Sequence, residues 1–255
     1  MTVILDVLDG LARITIDRPQ ARNALDLETG KAWTAAVVQA VNTPEVRAIL
    51  LAGEGNAFCA GADVEAVSSE SSDYVYELAT AVGQGILTLH NSLVPVIAAV
   101  NGPVAGGGFG IFLSSDIAIA SSNARFGALY ANIGLTPDLS ITTQLVDAVG
   151  ERRALELLLT PRMLSADEAL TWGLVSRVVS PDELDSEVVG LAKSWICGAP
   201  AAHGRAKKLV RDGRLRSLRD QMSEEARTVA QMVQTADATR LIDQFLSSRK
   251  NRGAK

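Results

Sequence analysis

The chain has 255 residues, 47% hydrophobic and 21% charged, the composition of a packed globular protein large enough for one sizeable domain. No run of about 18 apolar residues occurs, which excludes an encoded membrane span, and a net charge of -5 argues against a general nucleic-acid binder. The charge is uneven, with 11 basic and 23 acidic residues before His203 and 13 against 6 from there on, so the basic C-terminal part calls for a small anionic partner or none.

The N-terminus MTVILDVLDG carries no basic leader and alternates apolar with polar, so it reads as a strand rather than a signal peptide. Val3 to Asp9 and Leu11 to Asp17 share that period of two and meet at Gly10, the pattern of a hairpin. Asp26 then stands before LETGKAWTAAVVQAVN, where Leu27, Trp33, Val37, Val38 and Val41 recur at helical spacing, and it is the expected N-cap. VRAILLAG reads as a buried strand ended by GEGNAFCAGAD. A helix is expected from Asp73 to about Ser92, then the apolar strand VPVIAAV.

Beyond Gly150, Ser165 and Glu168 form a capping-box pair in SADEAL, and LVSRVV is one more short strand. From Pro181, behind a Ser180 cap, nearly everything to Arg249 reads helical. Alternating strands and helices predict an α/β core over 1–195, followed by a helical C-terminal region, 196–255, that packs on the core or on a neighbouring subunit. Two cysteines, Cys59 and Cys197, are too few for a disulfide framework and suit a reducing cytoplasm.

The segment NGPVAGGGFGIFLSSD, residues 101–116, hands a strand over to a helix through three successive glycines. A helix beginning there offers unpaired N–H groups and the positive end of its dipole to an anion or developing oxyanion. Tight packing that only glycine permits explains the same residues. No Lys-Ser/Thr follows, so this is no P-loop, and Ile111 breaks the dinucleotide fingerprint. GEGNAFCAGADV, residues 53–64, is a second junction of the same kind, and two such turns can aim two N–H groups at one carbonyl oxygen.

RPQARNALD (18–26), AFCAGADV (57–64), AAVNGPVAGGGFG (98–110) and WGLVSRVV (172–179) together resemble four successive signatures of the crotonase superfamily, the enoyl-CoA hydratases and isomerases. The resemblance spans nearly the whole chain. It implies a spiral of ββα units with a helical C-terminal region, assembled as homotrimers or dimers of trimers. It also implies an acyl-CoA thioester substrate, with no permanently bound cofactor and no metal. By motif, the backbone donors for the thioester oxygen fall on Ala62 and Gly107. CoA would lie along Arg22, Ala24 and Leu25 and along Ala60, Asp63 and Val64, with Lys207 and Lys208 of the basic run 205–219 as candidates for its phosphates. That run reads equally as a solvated helical face.

Hydratases of the superfamily pair two glutamates, whose positions here are Gly110 and Tyr130. Asp138, in IGLTPDLS, matches the lone acid that isomerases carry, which implies one carboxyl moving a proton between two carbons of an enoyl chain. Asp138 also reads as the cap of a helix starting near Leu139. Aryl-CoA dehalogenases place a nucleophilic Asp at this position, but their histidine falls near Gly83 rather than His90. Tyr130 is expected in the acyl pocket, Asp63 and Asp116 as caps or turn acceptors, and Cys59 as apolar filler. Double-bond isomerisation is the leading reading, ahead of hydration or another lyase reaction, dehalogenation, and CoA-ester binding with little catalysis.

Overall fold

The computed structural model describes residues 2–253. Strands β1 (Val3–Leu8) and β2 (Leu11–Ile16) pair antiparallel from Val3↔Ile16 to Leu8↔Leu11. Asp9 and Gly10 link them at φ of 50° and 84°, the positive pair that a two-residue hairpin turn needs to match strand twist. Helix α1 (Leu27–Asn42) starts where the Asp26 side chain accepts the Thr29 N–H at 2.7 Å, a cap that contributes about 1 kcal/mol.

β3 (Ala48–Gly53), α2 (Val64–Ser69), α3 (Ser72–Asn91) and β4 (Val96–Val100) follow in turn. Next come β5 (Val104–Ala105), α4 (Gly108–Leu113), β6 (Ile117–Ser121) and β7 (Arg125–Gly127). After a 3-10 turn at Tyr130–Ile133 the chain forms α5 (Ile141–Val149), α6 (Glu151–Leu159), β8 (Leu164–Ser165), α7 (Ala166–Trp172) and β9 (Arg177–Val179). It ends in α8 (Leu184–Cys197), α9 (Pro200–Gly213), α10 (Leu218–Met232) and α11 (Ala236–Gly253). The Ser165/Glu168 capping box forms as expected.

Six strands make one sheet in the order β1-β2-β3-β4-β6-β9, parallel except for the first pair. A second, three-stranded sheet has the order β5-β7-β8. The central strands are apolar on both faces because both are covered. Ile49, Leu51, Val96, Ala98, Val100, Ala118 and Ala120 join the main core with α1 and α3, while Ala48, Leu50, Ile97, Ala99 and Ile119 meet α8.

On α8, Leu184, Val188 and Ala192 are buried against that second face. Each of the two larger side chains contributes about 1.5–3 kcal/mol, which is enough to hold the helix on the sheet. The division expected at 195/196 therefore falls inside a helix that belongs to the core, and the chain turns away only at Gly198 and Ala199. Phe109 and Phe112 of α4 pack with Phe58 and Phe126 in edge and tilted contacts with centroids 5.3–6.5 Å apart. They fix the height at which the glycine turn meets the helix.

Candidate active site

Two backbone turns come together over this aromatic cluster. Ala105 N–H donates to the Cys59 carbonyl at 3.0 Å, and Phe58 and Cys59 N–H both donate to Pro103, at 3.1 and 3.3 Å. Leu25 lies beside Ala62 in a parallel bridge, with Leu25 N–H donating to Gly61 at 2.7 Å and Asp63 N–H to Leu25 at 2.9 Å. In that geometry the N–H of Ala62 itself points away from Leu25. Gly107 is the N-cap of α4, so its N–H has no helical acceptor. Among the described residues neither the Ala62 nor the Gly107 N–H meets a hydrogen-bond acceptor.

The two donors are close because of glycine at two places. Gly61 has a φ of 96°, and a β-carbon there would lie 2.8 Å from the Ala105 carbonyl and 3.0 Å from the Gly107 nitrogen. A β-carbon on Gly108 would lie 2.3 Å from the Cys59 carbonyl oxygen. No other residue lets the turns approach this far. The two N–H groups face a cavity of about 620 Å³ whose walls include Val64, Val67, Val75, Leu78 and Val82.

Asp138 is the one carboxyl among the described lining residues of this cavity. It accepts a hydrogen bond from the buried Tyr130 hydroxyl at 2.5 Å. The Asp138 residue keeps surface open to the cavity, yet the apolar surroundings of its carboxyl hold the pKa above the usual carboxylate range. The Tyr130 hydrogen bond and the residue's own N–H pull it partly back. Burial, then the adjacent Asp138 charge, push the Tyr130 phenol upward, so Tyr130 stays a donor. The alternative role of Asp138 as a helix cap does not form. Ser140 is the N-cap of α5, and the Asp138 backbone carbonyl, not its carboxyl, accepts from Ile141 at 3.0 Å.

Leu25, Ala60, Ala62, Val64, Gly107, Tyr130 and Asp138 all line the cavity. Arg22 and Ala24 sit behind them on the loop, where the Arg22 carbonyl accepts from Ala60 N–H at 3.0 Å. The Asp63 side chain is occupied, capping α2 at Ala66 and pairing with Arg18 at 3.3 Å. Cys59 is buried, and burial pushes its thiol up to about 12, which suits apolar filling.

Lys207 lies elsewhere, contrary to the phosphate role expected of it. Its amine is buried, 3.0 Å from Asp116 and 2.9 Å from the Val94 carbonyl. It lines a second cavity of about 740 Å³ between α3, α5 and α9. Lys208 pairs with Asp212 at 2.9 Å, and Arg211 joins Asp116. Asp116 itself accepts the Val96 N–H at 2.8 Å, the turn-acceptor role expected of it.

Three supporting residues escaped the sequence reading. Arg18 pairs with both Asp26 and Asp63, at 3.1 and 3.3 Å, and donates to the Ala24 carbonyl at 2.6 Å. Asn23 is fully buried and ties the same loop to Glu54 and Ala57, at 2.9 and 2.7 Å. Both stand in RPQARNALD, so a buried-polar reading of that motif was open. Leu139 packs against Gly107 and Gly110, a contact that no linear pattern announces.

The family model for enoyl-CoA hydratase/isomerase matches residues 7–252. Among curated proteins, a short-chain-enoyl-CoA hydratase of Clostridium acetobutylicum is 35% identical over 262 residues, covering 99% of this chain and 97% of its own. A 4-chlorobenzoyl coenzyme A dehalogenase of Arthrobacter is 34% identical over 225 residues, covering 87% and 82%. Among solved structures, an enoyl-CoA hydratase of Mycobacterium smegmatis superposes with a TM-score of 0.91 at 30% identity, over 97% of both chains. With two converging backbone donors in place, the chain belongs to the enoyl-CoA hydratase/isomerase family, the crotonase superfamily, as an acyl-CoA-processing enzyme.

Proposed function

We propose that this enzyme shifts the double bond of an enoyl-CoA by way of a thioester enolate. The observation that carries the reading is Asp138, a carboxyl of raised pKa held by Tyr130 in a cavity where two N–H groups stand free. The thioester oxygen would rest on Ala62 and Gly107, which stabilise the negative charge as it develops. The Asp138 carboxylate takes the proton from C2, and the C–H electron pair passes into the enolate. The same carboxyl then gives its proton to C4 as the charge returns through the new C2–C3 double bond. One group must serve as base and then acid, which a carboxyl with a pKa moved toward neutrality does best.

Water addition is poorly served here. The two positions that carry glutamates in hydratases hold Gly110 and Tyr130, and the space a side chain on Gly110 would need is taken by Leu139. A second reading rests on the dehalogenase relative and the lone acid. Asp138 would attack an aryl carbon bearing halide, expel the halide, and be freed by hydrolysis of the aryl ester. In that case the raised pKa would hinder rather than help.

Exposed apolar side chains on α10 and α11, including Leu218, Met222, Val229 and Phe245, support assembly into a homotrimer or a dimer of trimers, checked by light scattering. The free thiols of Cys59 and Cys197 support a cytoplasmic setting.

The test is turnover of 3-enoyl-CoA, 2-enoyl-CoA and 4-chlorobenzoyl-CoA by wild type and Asp138→Asn. Conversion of 3- to 2-enoyl-CoA, reduced by about 10²–10⁴-fold in the variant, is the expected outcome. Isomerisation that survives Asp138→Asn sinks the shuttle, chloride release favours the second reading, and tight binding without turnover favours a binding protein.

A further inference from the structure

The turn that presents Asp138 is unusual in its composition. Its carbonyl accepts from Ile141 N–H at 3.0 Å, closing a four-residue turn whose two central residues, Leu139 and Ser140, have φ of 51° and 59°. Turns with two positive φ values are the territory of Asn and Gly, because a side chain there crowds the following carbonyl. A branched apolar residue in that position is disfavoured locally, so something else in the structure holds it.

What holds it is the cavity wall. The Leu139 β-carbon and carbonyl oxygen lie 2.5 and 2.9 Å from where a β-carbon of Gly110 would be, and Cδ1 of Ile86 lies 3.4 Å from the same point. The position of an imagined Gly107 β-carbon is 3.2 Å from Leu139 Cδ1, and 3.9 Å from both the Ala62 nitrogen and the Tyr130 hydroxyl. Leu139 thus sets a methyl group against the Gly107 backbone, on the cavity wall that the Ala62 nitrogen and the Tyr130 hydroxyl also approach and that Asp138 shares. Without that methyl the place would have room and two or more polar partners, which are the conditions for an ordered water.

We propose that Leu139 is a positioning residue that keeps water out of this place. The proton taken by Asp138 is then returned to the acyl chain instead of exchanging with solvent. The strained turn fixes the carboxyl, and the side chain seals the gap that Gly110 leaves. This rests on the enolate reading above, and the two can fail separately.

The experiment follows the proton. 3-Hexenoyl-CoA carrying deuterium at C2 is converted by wild type, Leu139→Gly and Leu139→Met, and mass and NMR spectra locate the label in the product. Glycine suits the positive φ, so Leu139→Gly is expected to fold, which a thermal melt checks. Wild type and Leu139→Met should deliver most of the transferred label to C4. Leu139→Gly should lose label to solvent at least several-fold more. Label retention in Leu139→Gly equal to wild type, or complete washout already in wild type, overturns the role of Leu139 while leaving the enolate reading standing. Removal of no deuterium from C2 by any of the three proteins overturns both.

Discussion

Gly108→Ala asks whether the two donor turns must touch. The new β-carbon would stand 2.3 Å from the Cys59 carbonyl oxygen and 2.8 Å from the Cys59 β-carbon, about 1 Å short of ordinary contact at the closer point. Neither neighbour is the end of a flexible side chain. Cys59 is pinned by hydrogen bonds to Pro103 and Ala105, and α4 is pinned where its own Phe109 and Phe112 pack on Phe58 and Phe126. The strain must therefore separate the segment carrying Ala62 from the segment carrying Gly107. Overpacking of this kind costs about 1–3 kcal/mol. At about 2–4 °C per kcal/mol for a chain of this size, the melting temperature should fall by about 2–12 °C.

The functional cost is set by geometry. A misplacement of about 1 Å in a catalytic constellation lowers the rate about 10²-fold, similar to the lower end for deleting one oxyanion donor. The assay is steady-state isomerisation at a temperature well below both melts, with kcat and KM measured separately. The loss should fall mainly on kcat, because the donors are called on as charge develops on the thioester oxygen. Gly190→Ala is the control. It lies in α8, where an added β-carbon meets nothing within 4 Å, so it should leave kcat alone and raise stability by up to about 1 kcal/mol. If Gly108→Ala matched wild type in both melt and kcat, the close approach of the turns would not be what forms the site.

Tyr130→Phe removes a hydrogen bond that holds the Asp138 pKa down, so that pKa should rise further. On the proposed enolate mechanism the carboxylate form starts the reaction, so the acid limb of a kcat/KM–pH profile should move to higher pH than in wild type. Lys207→Ala leaves a buried site short of one cation and should cost about 3–5 kcal/mol, read by urea unfolding at pH 7, with Lys207→Met costing less because it keeps the packing. Burial lowers the Lys207 amine from 10.5 to about 8, so between those values the unfolded chain binds more protons than the folded one. Wild-type stability should gain a contribution as pH rises from about 8 to 10.5, and Lys207→Met should lack it.

What the sequence made legible was what the chain settles locally. The hairpin, the Asp26 cap, the Ser165 capping box and the apolar strands β3 and β4 each follow from residues within a few positions of one another. Ala62 and Gly107 could be located because their motifs stand in a fixed order, and the structure sets them facing one cavity. The second sheet was not legible, since β5, β7 and β8 are two or three residues long and exist only through pairing with distant chain. The basic run 205–219 does not present one surface. Lys207 and Arg211 are four apart and turn inward to Asp116, whereas Lys208, one residue on, turns outward to Asp212. A helical-wheel reading of that spacing offered the division, although the acid that draws the inner pair lies some 90 residues earlier.

That inward pair also explains how a C-terminal helix bears on a site built from the first half of the chain. Asp116 accepts the Val96 N–H, and its own N–H donates to the Val96 carbonyl, each at 2.8 Å, while Lys207 binds the Val94 carbonyl. The ion cluster therefore grips the entry to β4. The far end of β4 leads into Asn101, whose amide donates to Gly53, Gly55 and Ala57 at 2.9, 2.7 and 3.3 Å, and so into both donor turns. A shift of β4 along its axis would move Gly107 relative to Ala62, and neither donor has a side chain that could adjust. Backbone donors are accurate only if the strand beneath them cannot slide. Buried charge is a costly way to anchor a strand, but it fixes register in a way that apolar contact does not. On this view the cations of α9 serve the thioester site at a distance, by holding still the strand that carries it.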